Sequence, residues 1–131
     1  MATVLLDTTV VIDLLRGREA VAARLRDLRR RGDSPSVCAI TVEETFRGLR
    51  PAERQRAEAI FEGLWIVPLA ASEGRRAGEW RQAYASRGRT LAQADCLIAA
   101  AAVTAGGRMA TGNSKDFPMP EVTVEHWPAG E

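Results

Sequence analysis

The chain has 131 residues, 46% of them hydrophobic and 27% charged, with a formal net charge of +1. That is one domain's worth of ordinary globular composition, and it excludes a disordered, fibrous or strongly polyelectrolyte protein. No apolar run approaches the roughly 20 residues of a membrane span, and the start at Met1 lacks the basic region of a signal peptide. A cytoplasmic protein forming a single domain over residues 1–131, with no membrane partner, is expected. Cys38 and Cys96 have apolar or small neighbours and are read as core residues, since two isolated cysteines make no zinc site. Of the 18 basic residues only Lys115 is not Arg, and seven Arg lie between Arg16 and Arg31. Such a run suits a solvated helix face or a phosphate-binding one.

In chain order, Val4–Leu6 is an apolar run ending at Asp7. It is followed by Val10, Val11, Leu14 and Leu15 at helical spacing, so a strand feeds a helix that Gly17 stops. A second helix is predicted over residues 19–31, with Val21, Leu25 and Leu28 as its stripe, closed by Gly32 to Pro35. Ser36–Ile40 reads as a strand and Thr41 as the N-cap of the helix after it. Pro51 fits a first helical turn, and the segment to Gly63 carries Ala57, Ile60 and Phe61 in register. Trp65–Val67 is a third strand, closed by Pro68. Ser72 is expected to cap a helix bearing Ala77, Trp80 and Tyr84, and Thr90 to cap the Ala-rich helix from Ala92 to Ala105, which Gly106 and Gly107 end. Arg108–Thr111 is a fourth strand and Val122–Val124 a fifth. Strands alternating with helices imply an α/β sandwich around a mainly parallel sheet of four to five strands.

In open parallel sheets, functional groups gather beyond the carboxyl ends of the strands. Asp7 follows the first strand, Glu43 and Glu44 the second, Asn113 and Asp116 the fourth. Asp95 sits in the first turn of the Ala-rich helix, where a charge is out of place unless it faces a site. Two carboxylates ~4 Å apart repel by about 4 kcal/mol at an effective dielectric of 20, so four on one rim require that some be protonated or that a cation intervene. Oxygen donors suit Mg²⁺ or Mn²⁺. The only histidine, His126, lies near the C-terminus and gives little support to a histidine base.

Each acid also has a local reading. Asp7 can cap the helix at Val10, Glu44 can close a capping box with Thr41, Asp95 can favour the positive end of its helix, and Asp116 can be a turn acid before Phe117. Asp13 is read as a solvated helix residue. Four local readings converging on one rim are harder to accept than one shared site.

Four blocks carry a family likeness: Leu5 to Asp13, Ile40 to Glu44 with Gly48, Ala94 to Ala100, and Thr111 to Phe117. Together they resemble the PIN-domain ribonucleases, above all the VapC-type toxins of toxin–antitoxin modules. The resemblance implies a PIN-like sandwich, Mg²⁺- or Mn²⁺-dependent endoribonuclease activity on RNA with one or two ions, homodimerisation, and inhibition by a cognate antitoxin. By position it assigns Asp7, Glu44 and Asp95 as metal-binding and catalytic acids; the family's fourth acid stands either where Asn113 or where Asp116 stands here, and Asp116 is taken as the acid with Asn113 as a neutral helper. Thr8 and Thr9 are read as supporting hydrogen-bonding residues. Arg16, Arg47 and Arg89 are the candidates for RNA phosphates. Thr9 stands where the family usually has Asn or Ser, which puts a supporting hydrogen bond in question, and Thr45 replaces the usual Leu. The alternative function is a non-catalytic PIN-like module that binds RNA or protein. An Asp-nucleophile phosphotransferase would need an acid at position 9.

Overall fold

The computed structural model describes residues 1–130. Five strands form one sheet: β1 (Thr3–Leu6), β2 (Ser34–Cys38), β3 (Trp65–Val67), β4 (Arg108–Thr111) and β5 (Thr123–His126). Their order is β3-β2-β1-β4-β5, and every pairing is parallel. Six helices cover the sheet: α1 (Thr8–Leu15), α2 (Glu19–Arg30), α3 (Ala39–Arg47), α4 (Arg54–Glu62), α5 (Ala71–Ala85) and α6 (Gln93–Ala105). The two-residue repeat of β1 sorts its side chains between two core layers. Leu5 packs with Cys38, Trp80 and the alanines of α6, while Val4 and Leu6 pack with Val10, Leu14, Val21 and Leu28. Ala99 to Ala102 are fully buried, so α6 lies close against the strands. Cys38 and Cys96 are buried free thiols.

The expected elements are present, with shifted borders. The second strand begins at Ser34 and ends at Cys38, so it starts before Pro35 and stops before Ile40. Proline is tolerated here because Pro35 pairs only with Val4 of β1; β3 joins from Ser36 onward. Thr41 is not an N-cap. Helix α3 starts at Ala39, and Thr41 is buried inside it beside the Thr8 hydroxyl, 3.3 Å away, so no Thr41–Glu44 capping box forms. Nor does Ser72 cap α5, which begins a residue earlier. Glu73 accepts the Ala70 N–H at 2.7 Å, and the Ser72 hydroxyl bonds to Glu73. Thr90 likewise precedes the cap of α6, which is Ala92. The fifth strand runs to His126 rather than Val124.

Buried Glu73 also accepts the Thr104 hydroxyl at 2.6 Å, tying α5 to α6; these hydroxyls and the Ala70 N–H hold its carboxyl down at about 2. Apart from Met1, the exposed large apolar side chains among the described residues are Trp65 and Ile66, on edge strand β3. No described helix is long and apolar enough to cross a membrane.

Candidate active site

The sheet order reverses direction between β1 and β4, and at such a switch point the connections leave the carboxyl ends on opposite faces and open a crevice. Asp7 lies there, its N–H bonded to the Ala110 carbonyl at 2.9 Å. It occupies the N-cap position of α1, but its side chain caps nothing. Instead Oδ2 accepts the hydroxyls of Thr111 at 2.7 Å and Thr9 at 3.0 Å. The Thr9 hydroxyl accepts the Gly112 N–H at 2.9 Å in turn. Threonine therefore keeps a supporting hydrogen bond at position 9. The backbone at Gly112 passes so near that an added Cβ would lie 3.4 Å from the Thr9 hydroxyl.

Around this point opens a cleft of about 530 Å³, lined by Asp7, Thr8, Thr9, Ile12, Asp13, Glu44, Arg47, Asp95, Gly112, Asp116 and Ala129. All four expected acids reach it. Glu44 is half-buried, its Oε1 accepting the Thr8 hydroxyl at 2.7 Å, whereas Glu43 is exposed and pairs with Arg47 at 3.6 Å. Asp116 ends a 3-10 turn (Ser114–Asp116), and its Oδ2 accepts the Asn113 side-chain amide at 2.7 Å. Asp95, in the first turn of α6, accepts no side-chain hydrogen bond among the described residues.

Two of the four carboxyls are held above their ordinary pKa in this cleft. Burial, followed by the charges of Asp116, Asp7 and Glu44, pushes the Asp95 carboxyl up to about 6. Asp7 is also raised, chiefly by burial and further by Glu44, although the Thr111 and Thr9 hydroxyls oppose the shift. Among the described residues no three acidic, histidine or cysteine side chains are placed so that together they could hold a metal ion as they stand. The donors are nevertheless carboxylates and hydroxyls, with no imidazole or free thiol lining the cleft. A hard divalent cation such as Mg²⁺ or Mn²⁺ fits that chemistry.

Two residues were missed from sequence. Asp13, read as solvated, is half-buried and lines the cleft. Its position four after Thr9 puts it on the same helix face, and that spacing was the available signal. Thr111 holds Asp7, as the last residue of the strand beside β1. Of the three arginines, Arg47 lines the cleft, Arg16 is exposed outside its lining, and Arg89 donates to the Lys115 carbonyl at 2.6 Å. The His126 ring lies 3.3 Å from the Gly112 carbonyl and is not part of the cleft wall.

The PIN domain family model matches residues 4–119. The chain is 31% identical over 115 residues to Ribonuclease VapC19 of Mycobacterium tuberculosis, covering 88% of this chain and 92% of that protein. It is 33% identical over 117 residues to Ribonuclease VapC10 of the same organism, covering 88% and 86%. Among solved structures, a toxin–antitoxin complex from Klebsiella pneumoniae superposes with a TM-score of 0.75 at 26% identity, over 92% of this chain and 95% of that one. VapBC2 from Rickettsia felis, bound to a DNA fragment from its promoter, superposes with a TM-score of 0.82 at 21% identity, over 95% and 98%.

Proposed function

Since the chain belongs to the PIN domain family, we propose that it is the toxin of a toxin–antitoxin pair, an endoribonuclease that hydrolyses RNA with divalent metal ions held in the carboxylate cleft. The observation that carries this reading is the meeting of Asp7, Glu44, Asp95 and Asp116 in one cleft, with no basic side chain paired to any of them among the described residues. A non-catalytic module would have no use for four mutually repelling acids.

Asp7, Glu44, Asp95 and Asp116 would hold one or two Mg²⁺ or Mn²⁺ ions. A bound divalent cation supplies charge stabilisation at the scissile phosphate and a lowered pKa for the attacking water. The chain's own groups prepare the site. Thr9 and Thr111 fix one oxygen of Asp7, and Thr8 ties Glu44 to the start of α1. Asp95, held at about 6, would give up its proton more readily beside a cation. Arg47 stands at the cleft wall, where a flanking RNA phosphate would pass. Arg16 lies farther out and would serve only a longer substrate.

The partner in this reading is a cognate antitoxin, and a homodimer is expected in solution. The stripe of α2 (Val21, Leu25 and Leu28) is spent on the chain's own core, but a groove of about 450 Å³ remains beside Leu14, Ala22, Ile60 and Gly63. Its lining of apolar side chains flanked by Arg29 and Arg56 is the kind of surface an amphipathic segment of the antitoxin would take. Two experiments test the proposal together. Pure protein with Mn²⁺ is expected to cut total RNA to new 5′-phosphate ends, and the product of the neighbouring gene to co-purify and abolish cleavage. Absence of cleavage by wild type removes the enzyme reading. A neighbouring product that neither binds nor protects growth removes the toxin reading alone.

A further inference from the structure

The turn that carries Asp116 is gripped from outside the cleft. Phe117 and Met119 anchor it from within, both buried in the core layer against α6. Two backbone carbonyls that bracket Asp116 are then taken by one residue in the last turn of α5 and one just beyond it. Arg89 Nη2 donates to the Lys115 carbonyl at 2.6 Å, and the Tyr84 hydroxyl donates to the Pro118 carbonyl at 3.1 Å.

Local sequence explains why both donors reach. Gly88 takes φ +80°, a left-handed conformation that glycine adopts without strain, and nothing lies within 4 Å of where its Cβ would be. The reversal lets the Arg89 N–H bond back to the Tyr84 carbonyl at 2.9 Å, so the helix end and the arginine are one rigid piece. The Arg87 guanidinium lies 4.1 Å from the centre of the Tyr84 ring and holds it in place. Arg89 itself is exposed and does not line the cleft.

We infer that Arg89 and Tyr84 form a clamp that positions Asp116 toward the other acids, so that Arg89 serves the reaction through this turn and not by touching RNA. The inference rests on the role given to Asp116 above. An exposed arginine near a nuclease site would ordinarily be assigned to substrate phosphate, and the two roles leave different signatures. A phosphate contact acts on KM and on its salt dependence. A residue that orders a metal-holding acid acts on the affinity for the cation, and its effect disappears once that acid is neutralised.

The test uses the full chain with Arg89→Ala, Arg89→Lys and Tyr84→Phe, each alone and combined with Asp116→Asn. Mn²⁺ is titrated without RNA while thermal melting is followed, and kcat and KM are measured separately on a labelled RNA that the wild type cuts. Arg89→Ala is expected to raise the half-saturating Mn²⁺ concentration about 10-fold and to lower kcat comparably. KM for RNA and its salt dependence should stay put. Tyr84→Phe, which removes only the hydroxyl, should shift the Mn²⁺ response in the same direction. Arg89→Lys keeps a donor for the Lys115 carbonyl and should recover most of the loss. In the Asp116→Asn background, Arg89→Ala should change either readout by less than about 2-fold. Equal effects in both backgrounds would overturn the clamp. So would a raised KM with a shallower salt dependence and an unchanged Mn²⁺ response, which would make Arg89 a phosphate contact while leaving the proposed function intact. A wild type with neither cleavage nor a Mn²⁺ response would remove the proposed function, and the clamp with it.

Discussion

Asp95→Asn is expected to lower RNA cleavage by about 10²–10⁴-fold while the chain folds as before. The substitution is nearly isosteric and removes a charge that makes no side-chain hydrogen bond among the described residues, so no packing or polar network is broken. Asp7→Asn and Glu44→Gln should have effects of the same order. Asp7→Asn carries some structural cost as well, because its carboxylate accepts the Thr9 and Thr111 hydroxyls. Asp116→Asn should do less, about 10–100-fold, since one of its oxygens is already taken up by the Asn113 side-chain amide. Initial rates on the same RNA, with circular dichroism to verify folding, read these losses. Full activity of Asp95→Asn against a mock purification would sink the proposed chemistry.

The same charge crowding should make the protein less stable with its acids ionised. Burial and three neighbouring acids hold the Asp95 carboxyl at about 6, above its unfolded value of 3.8. A carboxyl raised in this way binds its proton more tightly in the folded state. Folding is therefore favoured at low pH, and the advantage drains away as pH climbs from about 4 to about 6. Above 6 the penalty is fully present. Its ceiling is about 3 kcal/mol, and partial exposure of the carboxyl to solvent brings it to roughly 1–2 kcal/mol. In EDTA at pH 7.5, Asp95→Asn should accordingly melt a few degrees above wild type, on the order of 3–8 °C. The two should converge toward pH 4.5. Adding Mn²⁺ at pH 7.5 should stabilise wild type by about 2.7 kcal/mol at a hundredfold excess over its Kd, and the variant by less. Identical melting in EDTA, with no metal response in either protein, would mean that the acids do not act as one site.

How far the sequence could be read depended on which signals were local. Strands announced by short apolar runs, such as Val4–Leu6 and Trp65–Val67, lie where periodicity puts them, because burial on both faces leaves few alternatives. Caps were less legible. Thr41, Ser72 and Thr90 have good capping chemistry, yet each helix starts where the strand or loop before it releases the chain. Thr41 is committed instead to the contact with Thr8, 33 positions away. The run Ser36–Ile40 is apolar whether it is strand or helix, and its division at Cys38 is set by pairing with Val67. The four acids were legible as a group because strand order sends Asp7, Glu44 and Asp116 to one rim, and Asp95 is a charge in the first turn of an otherwise uncharged helix. Asp13 was not, because an acid on an amphipathic helix looks the same facing a cleft as facing solvent. Nor was the partner of Arg89, since a bond from a guanidinium to a distant backbone carbonyl leaves no trace in sequence.

The most direct measurement is calorimetric titration of Mn²⁺ into the metal-free wild type without RNA, repeated in buffers of different ionisation enthalpy. If four acids share one cleft and Asp95 is protonated half the time near pH 6, binding at that pH should release about 0.5 proton from this group, falling toward none at pH 8. Asp95→Asn should bind more weakly and release about 0.5 proton fewer at that pH. Absence of Mn²⁺ binding, or binding and proton release unaltered by Asp95→Asn, would contradict a metal site built on these carboxylates.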